Sequence, residues 1–413
     1  MSHRVVVTGI GVVSSVGHSL EDAWSAALEG RTGIKTISIF DTTGYDVHIG
    51  ADIPDWDPTQ YMDGKEAKRC DRFTQFAIAA ADQALAQSGL KITPENQYDV
   101  GVICGCGIGG MLTWEEQFTK LITKGPSRVS PFLVPVMIVD MAAGMISMRT
   151  GAKGPNYATV SACASATHAV GNAFETIKRG ASKAIITGGT EGAISPTGLS
   201  GFCAAKALST RNDEPATACR PFDRTRDGFV MGEGACILVL EELEFARARG
   251  ANILAEMAGF GMSGDAYNMV APDPCGEAAA WAMQTAIREA ELSVTEIDYV
   301  NAHAPGTPGG DDMEARALQL LYEGKDYSPM VSSTKSVHGH MLGATGAMEL
   351  ALSIKMMHEG LVPLTLNCHE PDEDIWIDVV RDEHRSARID TIMSNSFGFG
   401  GHNAVVVARR YEG

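Results

Sequence analysis

Short apolar runs alternate along most of the chain with longer segments of helical periodicity. Runs bounded by Gly, Pro and polar residues predict buried strands. Three longer segments, 75–87, 277–290 and 344–358, repeat apolar residues at the three- and four-residue spacing of an amphipathic helix. Strands that alternate with helices in this way predict an α/β fold. The predicted strands are 5–8, 100–103, 184–187, 235–240, 253–257, 297–300, 391–394 and 405–408.

The size and charge of the chain limit the classes of protein to which it can belong. Its 413 residues exceed the usual single domain and predict two domains or one large duplicated unit. A hydrophobic content of 45%, without an apolar run of membrane-spanning length, is typical of a soluble globular protein. The net charge of -18 argues against nucleic acid and anionic membranes as partners.

The N-terminus and the cysteines favour the cytoplasm. The first residues, Met-Ser-His-Arg-Val-Val-Val-Thr-Gly, resemble a first strand and not a signal peptide. Nine cysteines, an odd number without framework spacing, fit a reducing compartment in which thiols stay free. We therefore expect a cytoplasmic protein.

Cys163 lies in the run Thr-Val-Ser-Ala-Cys-Ala-Ser-Ala-Thr-His, between a strand-like run and a predicted helix that continues to Arg179. A thiol at or near the first turn of a helix faces unpaired N–H groups and the positive end of the helix dipole, which lower the thiol pKa. Free cysteines are more often buried and inert. Position alone therefore does not establish a nucleophile.

Three further blocks supply groups that could act with this thiol. His303 follows the predicted strand 297–300 and opens a loop rich in Pro and Gly, and such strand ends usually display reacting groups. Lys335, His338 and His340 precede the helix predicted at 344–358. Glycines alternate with phenylalanines at 396–401, which favours a mobile loop with free backbone N–H groups.

Together and in this order, these blocks resemble the β-ketoacyl-acyl carrier protein synthases, and most closely the type II elongating ketosynthases of dissociated fatty acid synthesis. The resemblance covers almost the whole chain. Its motifs are Arg4-Val-Val-Val-Thr-Gly-Ile-Gly, Ile108-Gly-Gly, the Cys163 segment, Ala204-Ala-Lys-Ala-Leu-Ser-Thr-Arg-Asn, Arg220-Pro-Phe-Asp-Arg-Thr-Arg-Asp-Gly-Phe, Gly264-Asp-Ala-Tyr, the His303 loop, Lys335 with His340, Phe397-Gly-Phe-Gly-Gly and Gly401-His-Asn-Ala-Val-Val-Val.

The resemblance implies an α/β, duplicated thiolase-like fold of five αβαβα layers with two mixed sheets. Its halves would be 1–250, with the nucleophilic cysteine, and 251–413, with the His, His and Lys groups, and they would meet around Arg249-Gly250. It also implies a homodimer that acts on substrates carried by the phosphopantetheine arm of acyl carrier protein. No cofactor and no catalytic metal would be required.

The implied activity is a decarboxylative Claisen condensation. The Cys163 thiolate would attack an acyl thioester, while the backbone N–H groups of Cys163 and Phe399 hold the oxyanion. Loss of CO₂ from malonyl-acyl carrier protein would then generate a carbanion. Its enolate oxygen would accept hydrogen bonds from His303 and His340, and Lys335 would orient the two histidines. The products would be 3-oxoacyl-acyl carrier protein, CO₂ and free carrier.

Further roles are carried over from the resemblance. Phe399 would also gate the acyl pocket, which Ile108 would line. A local basic patch would have to overcome the net negative charge to bind an acidic carrier. Glu349 would either hold Lys335 or help to bind a structural monovalent cation, and these readings stay open. The substrate-binding set is Ile108, Thr307, Phe397, Gly398 and Gly400. The carrier-docking set is Lys65, Lys68, Arg69 and Lys206, with Arg72, Lys124 and Arg128 as further candidates. The cation-binding set is Glu349, Asn301 and Asn395.

The chain departs from the family pattern near the expected phosphopantetheine arm. Most members read Gly-Thr-Ser-Thr-Pro after the first histidine, whereas this chain reads Ala304-Pro305-Gly306-Thr307-Pro308. Val270 and Ala271 stand where polar side chains are common. The loss of such a hydrogen bond costs about 0.5–1.5 kcal/mol. We therefore expect catalysis with an altered preference for carrier or chain.

Other functions remain open on the sequence. A ketosynthase of a specialised polyketide or polyene pathway would keep Cys163, His303 and His340. A chain-length-factor subunit would lack the nucleophile, so Cys163 argues against it. A metal-dependent hydrolase using Cys104, Cys106 and two histidines has poor spacing for zinc. A hydrolytic cysteine enzyme fits two histidines and a lysine less well than carbon–carbon bond formation does.

Overall fold

The computed structural model describes residues 2–373 and 375–413, in which strands and helices alternate. The strands are β1 (Val5–Ser14), β2 (Lys35–Thr36), β3 (Ile49–Gly50), β4 (Val100–Gly105), β5 (Asn156–Thr159), β6 (Ala184–Glu191), β7 (Gly234–Glu242), β8 (Ala255–Gly264), β9 (Tyr299–Asn301), β10 (Met330–Ser332), β11 (Leu361–Val362), β12 (Asp378–Val379), β13 (Arg385–Ser386), β14 (Thr391–Gly398) and β15 (His402–Arg409). The helices are α1 (Leu20–Glu29), α2 (Gly64–Ala67), α3 (Arg72–Ser88), α4 (Met111–Lys124), α5 (Leu133–Met137), α6 (Met141–Thr150), α7 (Ser165–Lys178), α8 (Pro196–Ala204), α9 (Leu243–Ala248), α10 (Glu277–Glu289), α11 (Pro308–Tyr322), α12 (Lys335–His338) and α13 (Thr345–Glu359).

The large sheet contains the same strand arrangement twice. Its order is β12-β10-β9-β14-β15-β8-β1-β7-β6-β4-β5. Within it, β5-β4-β6-β7-β1 and β10-β9-β14-β15-β8 are two sets of five strands. When the five strands of each set are numbered in chain order, both sets follow the order third, second, fourth, fifth and first. Each set has two parallel pairings followed by two antiparallel ones. This repeated topology is the duplicated α/β arrangement that was predicted.

The two predicted sheets meet along one short pairing. β1 and β8 are antiparallel partners over three residue pairs, from Val5 opposite Met257 to Val7 opposite Ala255. Hydrogen bonding therefore continues from one half into the other. α9 ends at Ala248 and β8 begins at Ala255, and the division into 1–250 and 251–413 stays a prediction.

Paired glycines allow a helix to pack closely against the outer face of the sheet in each half. A Cβ on Gly9 or Gly11 of β1 would lie 2.1 or 2.0 Å from a carbonyl oxygen of α3. A Cβ on Gly259 or Gly261 of β8 would lie 2.0 Å from a carbonyl oxygen of α10 in both cases. The Gly-x-Gly spacing places both glycines on the same face of a strand. The two outer helices, α3 and α10, therefore pack against equivalent Gly-x-Gly segments of β1 and β8.

The innermost layer consists of α7 and α13, which pack against each other and against both halves of the sheet. α13 is buried from Thr345 to Ile354, since it has sheet on two sides. With α3 and α10 outside, this arrangement gives the five predicted αβαβα layers. The loops that precede α7 and α13 carry Cys163 and His340 to the same place.

The predicted elements overlap the observed ones, and their boundaries differ most in the second half. The segment 253–257 overlaps only the start of β8, which runs to Gly264. The three predicted helices coincide closely with α3, α10 and α13. In the described part of the chain, no helix is long and apolar enough to cross a membrane.

Candidate active site

Cys163 stands in a tight turn between β5 and α7. β5 ends at Thr159 and α7 begins at Ser165, so the cysteine lies two residues before the helix. Ala162 has a left-handed backbone with φ of 49°, a conformation that is strained for a residue with a Cβ. The Ser165 hydroxyl holds the turn, since it accepts from the Ser161 N–H at 2.9 Å and donates to the Ala162 carbonyl at 2.7 Å.

The structure brings the three predicted reacting side chains together. The Nε2 atom of His340 lies 3.0 Å from the Sγ atom of Cys163. The His303 and His340 rings meet edge to face, with centroids 5.3 Å apart. The sulfur and one nitrogen of each imidazole lie within 4.8 Å of one another, and all three residues are buried. Cys163 thus forms one site with two histidines from the second half of the chain, and His340 lies 177 positions away in sequence.

Burial raises the pKa of the Cys163 thiol to about 12, so the prediction of a lowered thiol pKa is wrong. The Lys335 charge and the N–H groups of Phe399 and Cys163 lower this pKa in part, whereas the Glu191 charge raises it. The physical reason is that α7 begins beyond the cysteine, and loss of hydration outweighs the favourable dipoles. The resting group is therefore a neutral thiol.

The two active-site histidines are neutral as well. Burial lowers the pKa of His303 and of His340 well below the ordinary value, and the nearby Lys335 charge lowers both further. The Nδ1 atom of His340 lies 3.0 Å from the Thr345 hydroxyl, which can accept or donate a hydrogen bond. His340 can therefore present either a lone pair or an N–H at Nε2, and so can accept the thiol proton or donate to an oxygen.

Glu314 holds the His303 loop from α11. Its carboxylate accepts from the N–H groups of His303 at 2.9 Å and Ala304 at 2.7 Å, and from the Asn395 side chain at 2.9 Å. Burial raises the pKa of Glu314. Glu314 was not among the predicted site residues. Its only signal was an acidic position in the helix that follows the His303 loop.

Lys335 and Glu349 form a fully buried ion pair between α12 and α13. Burial raises the pKa of Glu349 to about 8, and the Lys335 charge opposes that rise. The pair places a positive charge near both histidines, which is the geometry expected for a residue that tunes them. His338 does not join the site, because its ring nitrogens contact the Gly339 carbonyl and the Thr334 hydroxyl.

Four buried oxygens beside this ion pair lack a hydrogen-bond partner among the described residues. The Asn301 side chain of β9 donates to the Glu349 carbonyl at 3.4 Å, and Asn301 is paired in register with Ser394 of β14. Carboxylate, amide and hydroxyl oxygens suit a hard monovalent cation. The four atoms are Glu349 Oε2, Asn301 Oδ1, Ser394 Oγ and Asn395 Oδ1.

Gly398 lets the Phe-Gly loop rest on the cysteine turn. A Cβ at this position would lie 2.7 Å from the Ser161 carbonyl oxygen and 3.1 Å from the Cys163 nitrogen. This close approach brings the Phe399 N–H next to the sulfur. The Phe399 ring is half-buried, with its centroid 6.4 Å from that of Phe202. Gly400 has φ of +86° and donates its N–H to the Met269 carbonyl at 2.8 Å.

A channel with a volume of about 250 Å³ leads to the reacting groups. It brings together Cys163, His303, His340 and Phe399, and Thr307, Phe397 and Gly398 from the substrate-binding set also line it. Three departures from the family pattern, Val270, Ala271 and Pro305, lie in its wall. Ile108 lines a separate cavity of about 330 Å³ with Trp114 and Met137.

The four residues of the docking set are exposed, and they come from two different parts of the chain. Lys206 lines the channel, whereas Lys65 lies on α2, and Lys68 and Arg69 follow that helix. Arg72 is unavailable for docking, because it binds the buried Glu233 carboxylate at 2.6 and 2.8 Å. Lys124 and Arg128 are exposed near the end of α4.

Family models match both halves of this fold. Residues 2–246 match "Beta-ketoacyl synthase, N-terminal domain", and residues 254–369 match "Beta-ketoacyl synthase, C-terminal domain". Among solved structures, a beta-ketoacyl synthase from Burkholderia phymatum has a TM-score of 0.92 at 34% identity over 99% of this chain and 100% of that chain. The ishigamide ketosynthase/chain length factor has a TM-score of 0.91 at 31% identity over 100% of both chains.

Curated relatives agree over nearly the full length. A "3-oxoacyl-[acyl-carrier-protein] synthase 2" from Synechocystis sp. is 46% identical over 99% of this chain and 98% of its own length. Proteins of the same name from Coxiella burnetii and Staphylococcus aureus are each 47% identical, and the alignments cover 98% and 99% of both chains, respectively. The fold and the cysteine-histidine site define an acyl-transferring condensing enzyme. The chain belongs to the β-ketoacyl synthase family.

Proposed function

We propose that the protein is a 3-oxoacyl-acyl carrier protein synthase that elongates acyl chains in fatty acid synthesis. The observation that carries this proposal is the convergence of Cys163, His303 and His340 at a channel, with two backbone N–H groups against the sulfur. Relatives of that name share 46–47% identity with this chain over nearly its whole length.

Transfer of the acyl group to Cys163 is the first step. His340 Nε2 accepts the thiol proton as sulfur attacks the thioester carbonyl, because the two atoms are 3.0 Å apart. The Cys163 and Phe399 N–H groups stabilise the oxyanion. The carrier's phosphopantetheine thiolate leaves and takes the proton from His340. This return leaves the histidine neutral for the next step.

Decarboxylation and bond formation follow. The malonyl thioester carbonyl accepts hydrogen bonds from the two histidines, and its carboxylate leaves as CO₂ while the electron pair passes to the enolate. The enolate carbon attacks the acyl thioester on Cys163, and the sulfur leaves as a thiolate. This thiolate takes a proton from water, because its original proton left with the carrier thiol in the first step. Neutral histidines suit this step, because a hydrogen-bond donor is needed and a strong base is not.

Two observations support an acidic carrier as the partner. Lys206 lies at the channel, and the exposed Lys65, Lys68 and Arg69 form a basic group in a chain of net charge -18. Apolar wall residues Val270, Ala271 and Pro305 offer shape and apolar contact to a phosphopantetheine arm. No cofactor is required by this chemistry, and a cytoplasmic location stays a prediction.

A homodimer is the assembly we propose. β5 is the edge strand of the large sheet and exposes Tyr157, and Val160 follows it. α4 and the α5 region expose further apolar side chains, Trp114, Phe118, Ile122, Phe132 and Val134. Exposed edges and apolar faces are usually covered by a partner. Sedimentation equilibrium at the mass of two chains supports this assembly, and a monomer at micromolar concentration contradicts it.

We also propose that Glu349, Asn301 and Asn395, with Ser394, hold a structural monovalent cation. Their unpartnered buried oxygens fit such an ion. The cation would stabilise the Glu349 carboxylate beside Lys335, and it would take no part in the reaction itself. Glu349 would then both hold Lys335 and contribute an oxygen to the ion.

The activity test supplies purified protein with acyl- and malonyl-carriers and measures 3-oxoacyl product and CO₂. The native protein is expected to form both in equal amounts. His303→Ala and His340→Ala should each lower condensation by about 10²–10³-fold, and His303→Ala should keep Cys163 acylation. Release of free fatty acid without 3-oxoacyl product would contradict the proposal and indicate a hydrolase.

A specialised polyketide or polyene ketosynthase is the second candidate. The departures Val270, Ala271 and Pro305 in the channel wall favour it, as does the structural similarity to the ishigamide ketosynthase/chain length factor. Carriers with polyunsaturated chains discriminate between the two. Preference for saturated chains supports the first function, and preference for polyene chains supports the second.

A further inference from the structure

The carboxylate of Glu191, the last residue of β6, is fully buried beside the active site. It accepts hydrogen bonds from the N–H groups of Gly107 at 3.0 Å, Ile108 at 3.3 Å and Gly343 at 3.0 Å, and from the Cys106 thiol at 3.5 Å. Among the described residues, its hydrogen-bond partners include no lysine or arginine. Its contacts are thus almost entirely with backbone of two loops.

The two loops close tightly around this carboxylate. A Cβ on Gly107 would lie 2.8 Å from Glu191 Oε2. A Cβ on Gly343 would lie 2.2 Å from the Gly107 nitrogen and 2.8 Å from the same carboxylate oxygen. Both positions therefore need glycine, because a Cβ at either one would meet the carboxylate. Burial raises the pKa of Glu191 to about 7.

Each of the two loops contributes a residue to the apolar cluster around Cys163. The first loop continues to Ile108, which packs against the apolar cluster that contains Cys163 and also lines the second cavity. The other loop follows His340 and contains Leu342, which has φ of 46° and belongs to the same cluster. Glu191 therefore fixes the backbone of a residue that contacts both the apolar cluster of the thiol and the second cavity.

We propose that Glu191 is a positioning residue that holds Ile108 between Cys163 and the second cavity and thereby limits which acyl chain lengths the thiol accepts. The inference rests on the proposed function, since it concerns acyl chains bound to Cys163. A short chain can end before Ile108, whereas a long chain must displace Ile108 to reach the second cavity. Displacement strains the hydrogen bonds to Glu191, so the carboxylate penalises long chains selectively.

The test is Glu191→Gln, compared with the native protein in the rate of Cys163 acylation by hexanoyl- and hexadecanoyl-carriers. The amide nitrogen of Gln would face a backbone N–H and cannot accept from it, so the Ile108 loop loses at least one hydrogen bond. The ratio of the hexadecanoyl to the hexanoyl rate is expected to rise about fivefold or more. An equal fall of both rates, with the ratio unchanged, would overturn the inference.

Glu241→Gln is the matched control for loss of a buried carboxylate. Glu241 is also fully buried, but it binds Thr8 and Arg249 away from the channel. Its chain-length ratio should equal that of the native protein. A rise of the ratio in this variant as large as in Glu191→Gln would overturn the inference, because general destabilisation would then explain both.

Ile108→Ala shows whether Glu191 acts through Ile108. The single variant should raise the ratio, and adding Glu191→Gln should raise it no further. A full additional rise in the double variant would overturn the inference. If Glu191→Gln does not fold, Gly107→Ala disturbs the same contact without removing the charge, and it should raise the ratio as well. An unchanged ratio in Gly107→Ala would count against the inference.

The proposed function can fail separately. If hexanoyl and hexadecanoyl carriers both leave the native protein unmodified, the proposed function and this inference both fail. If the native protein is acylated and the ratio does not change in Glu191→Gln, only the inference fails.

Discussion

The Nε2 atom of His340 lies 3.0 Å from the Sγ atom of Cys163. This contact joins a turn of the first half of the chain to a turn of the second half. Burial raises the pKa of the thiol, which is therefore neutral. The neutral imidazole of His340 is close enough to take the thiol proton as acylation proceeds. Activation therefore depends on the arriving substrate more than on a preformed thiolate.

This view predicts the pH dependence of thiol alkylation. Because burial raises the pKa of Cys163 to about 12, the thiolate fraction in the free protein should rise with pH about tenfold per unit through the neutral range. The rate of Cys163 modification by iodoacetamide, followed by peptide mass in a Cys275→Ser background, should rise accordingly up to at least pH 9. A plateau below pH 8 would instead indicate a preformed thiolate.

Gly398→Ala should disable acylation without unfolding the protein. The new Cβ would meet the Ser161 carbonyl and the Cys163 nitrogen, so the Phe399 N–H would move away from the oxyanion. We expect acylation to slow by about 10²–10³-fold, measured by intact mass over time. Gly201→Ala is the control, since a Cβ at Gly201 of α8 would meet nothing within 4 Å. An equal loss in both variants would contradict the oxyanion role.

Exchange of potassium or sodium chloride for choline chloride at equal ionic strength should lower the melting temperature by about 2–5 °C. The reason is that the proposed cation would bind the unpartnered oxygens of Glu349 and Asn301 in the folded state only. Differential scanning calorimetry measures the shift. Asn301→Leu should lose the response, and a native protein with the same melting temperature in both salts would contradict the cation site.

Charge reversal in the basic group should weaken carrier binding. Lys65→Glu with Arg69→Glu is expected to raise the KM for the carrier about tenfold with little change in kcat, and the effect should shrink at high salt. Lys91→Glu is the matched control, because Lys91 is exposed beyond the far end of α3. A KM that is unchanged in the double variant would place the carrier elsewhere on the surface.

The fold and the reacting residues could be predicted because they leave local patterns. The runs that form β1 and β7 and the periodicity of α3 and α13 are visible in one sequence, and Cys163 and His303 lie in motifs. The duplication became clear only in the strand order, since the shared feature is a Gly-x-Gly spacing in β1 and β8 and little else.

Properties set by burial could not be predicted. The thiol pKa depends on where α7 begins and on how far water is excluded, and neither is written in the residues around Cys163. Glu191 and Glu314 were missed for the same reason, because each binds backbone N–H groups that only the folded chain brings near. Ile108 lines a second cavity and not the channel, because of tertiary packing.

The most direct test of the account is the intact mass of the native protein and of Cys163→Ala after exposure to acyl carriers of graded chain length. The account predicts that the native protein alone gains the mass of one acyl group, and that this adduct disappears when malonyl-carrier is added and 3-oxoacyl product forms. An adduct that persists in Cys163→Ala, or a native protein that no carrier acylates, would contradict the assignment of Cys163 as the nucleophile.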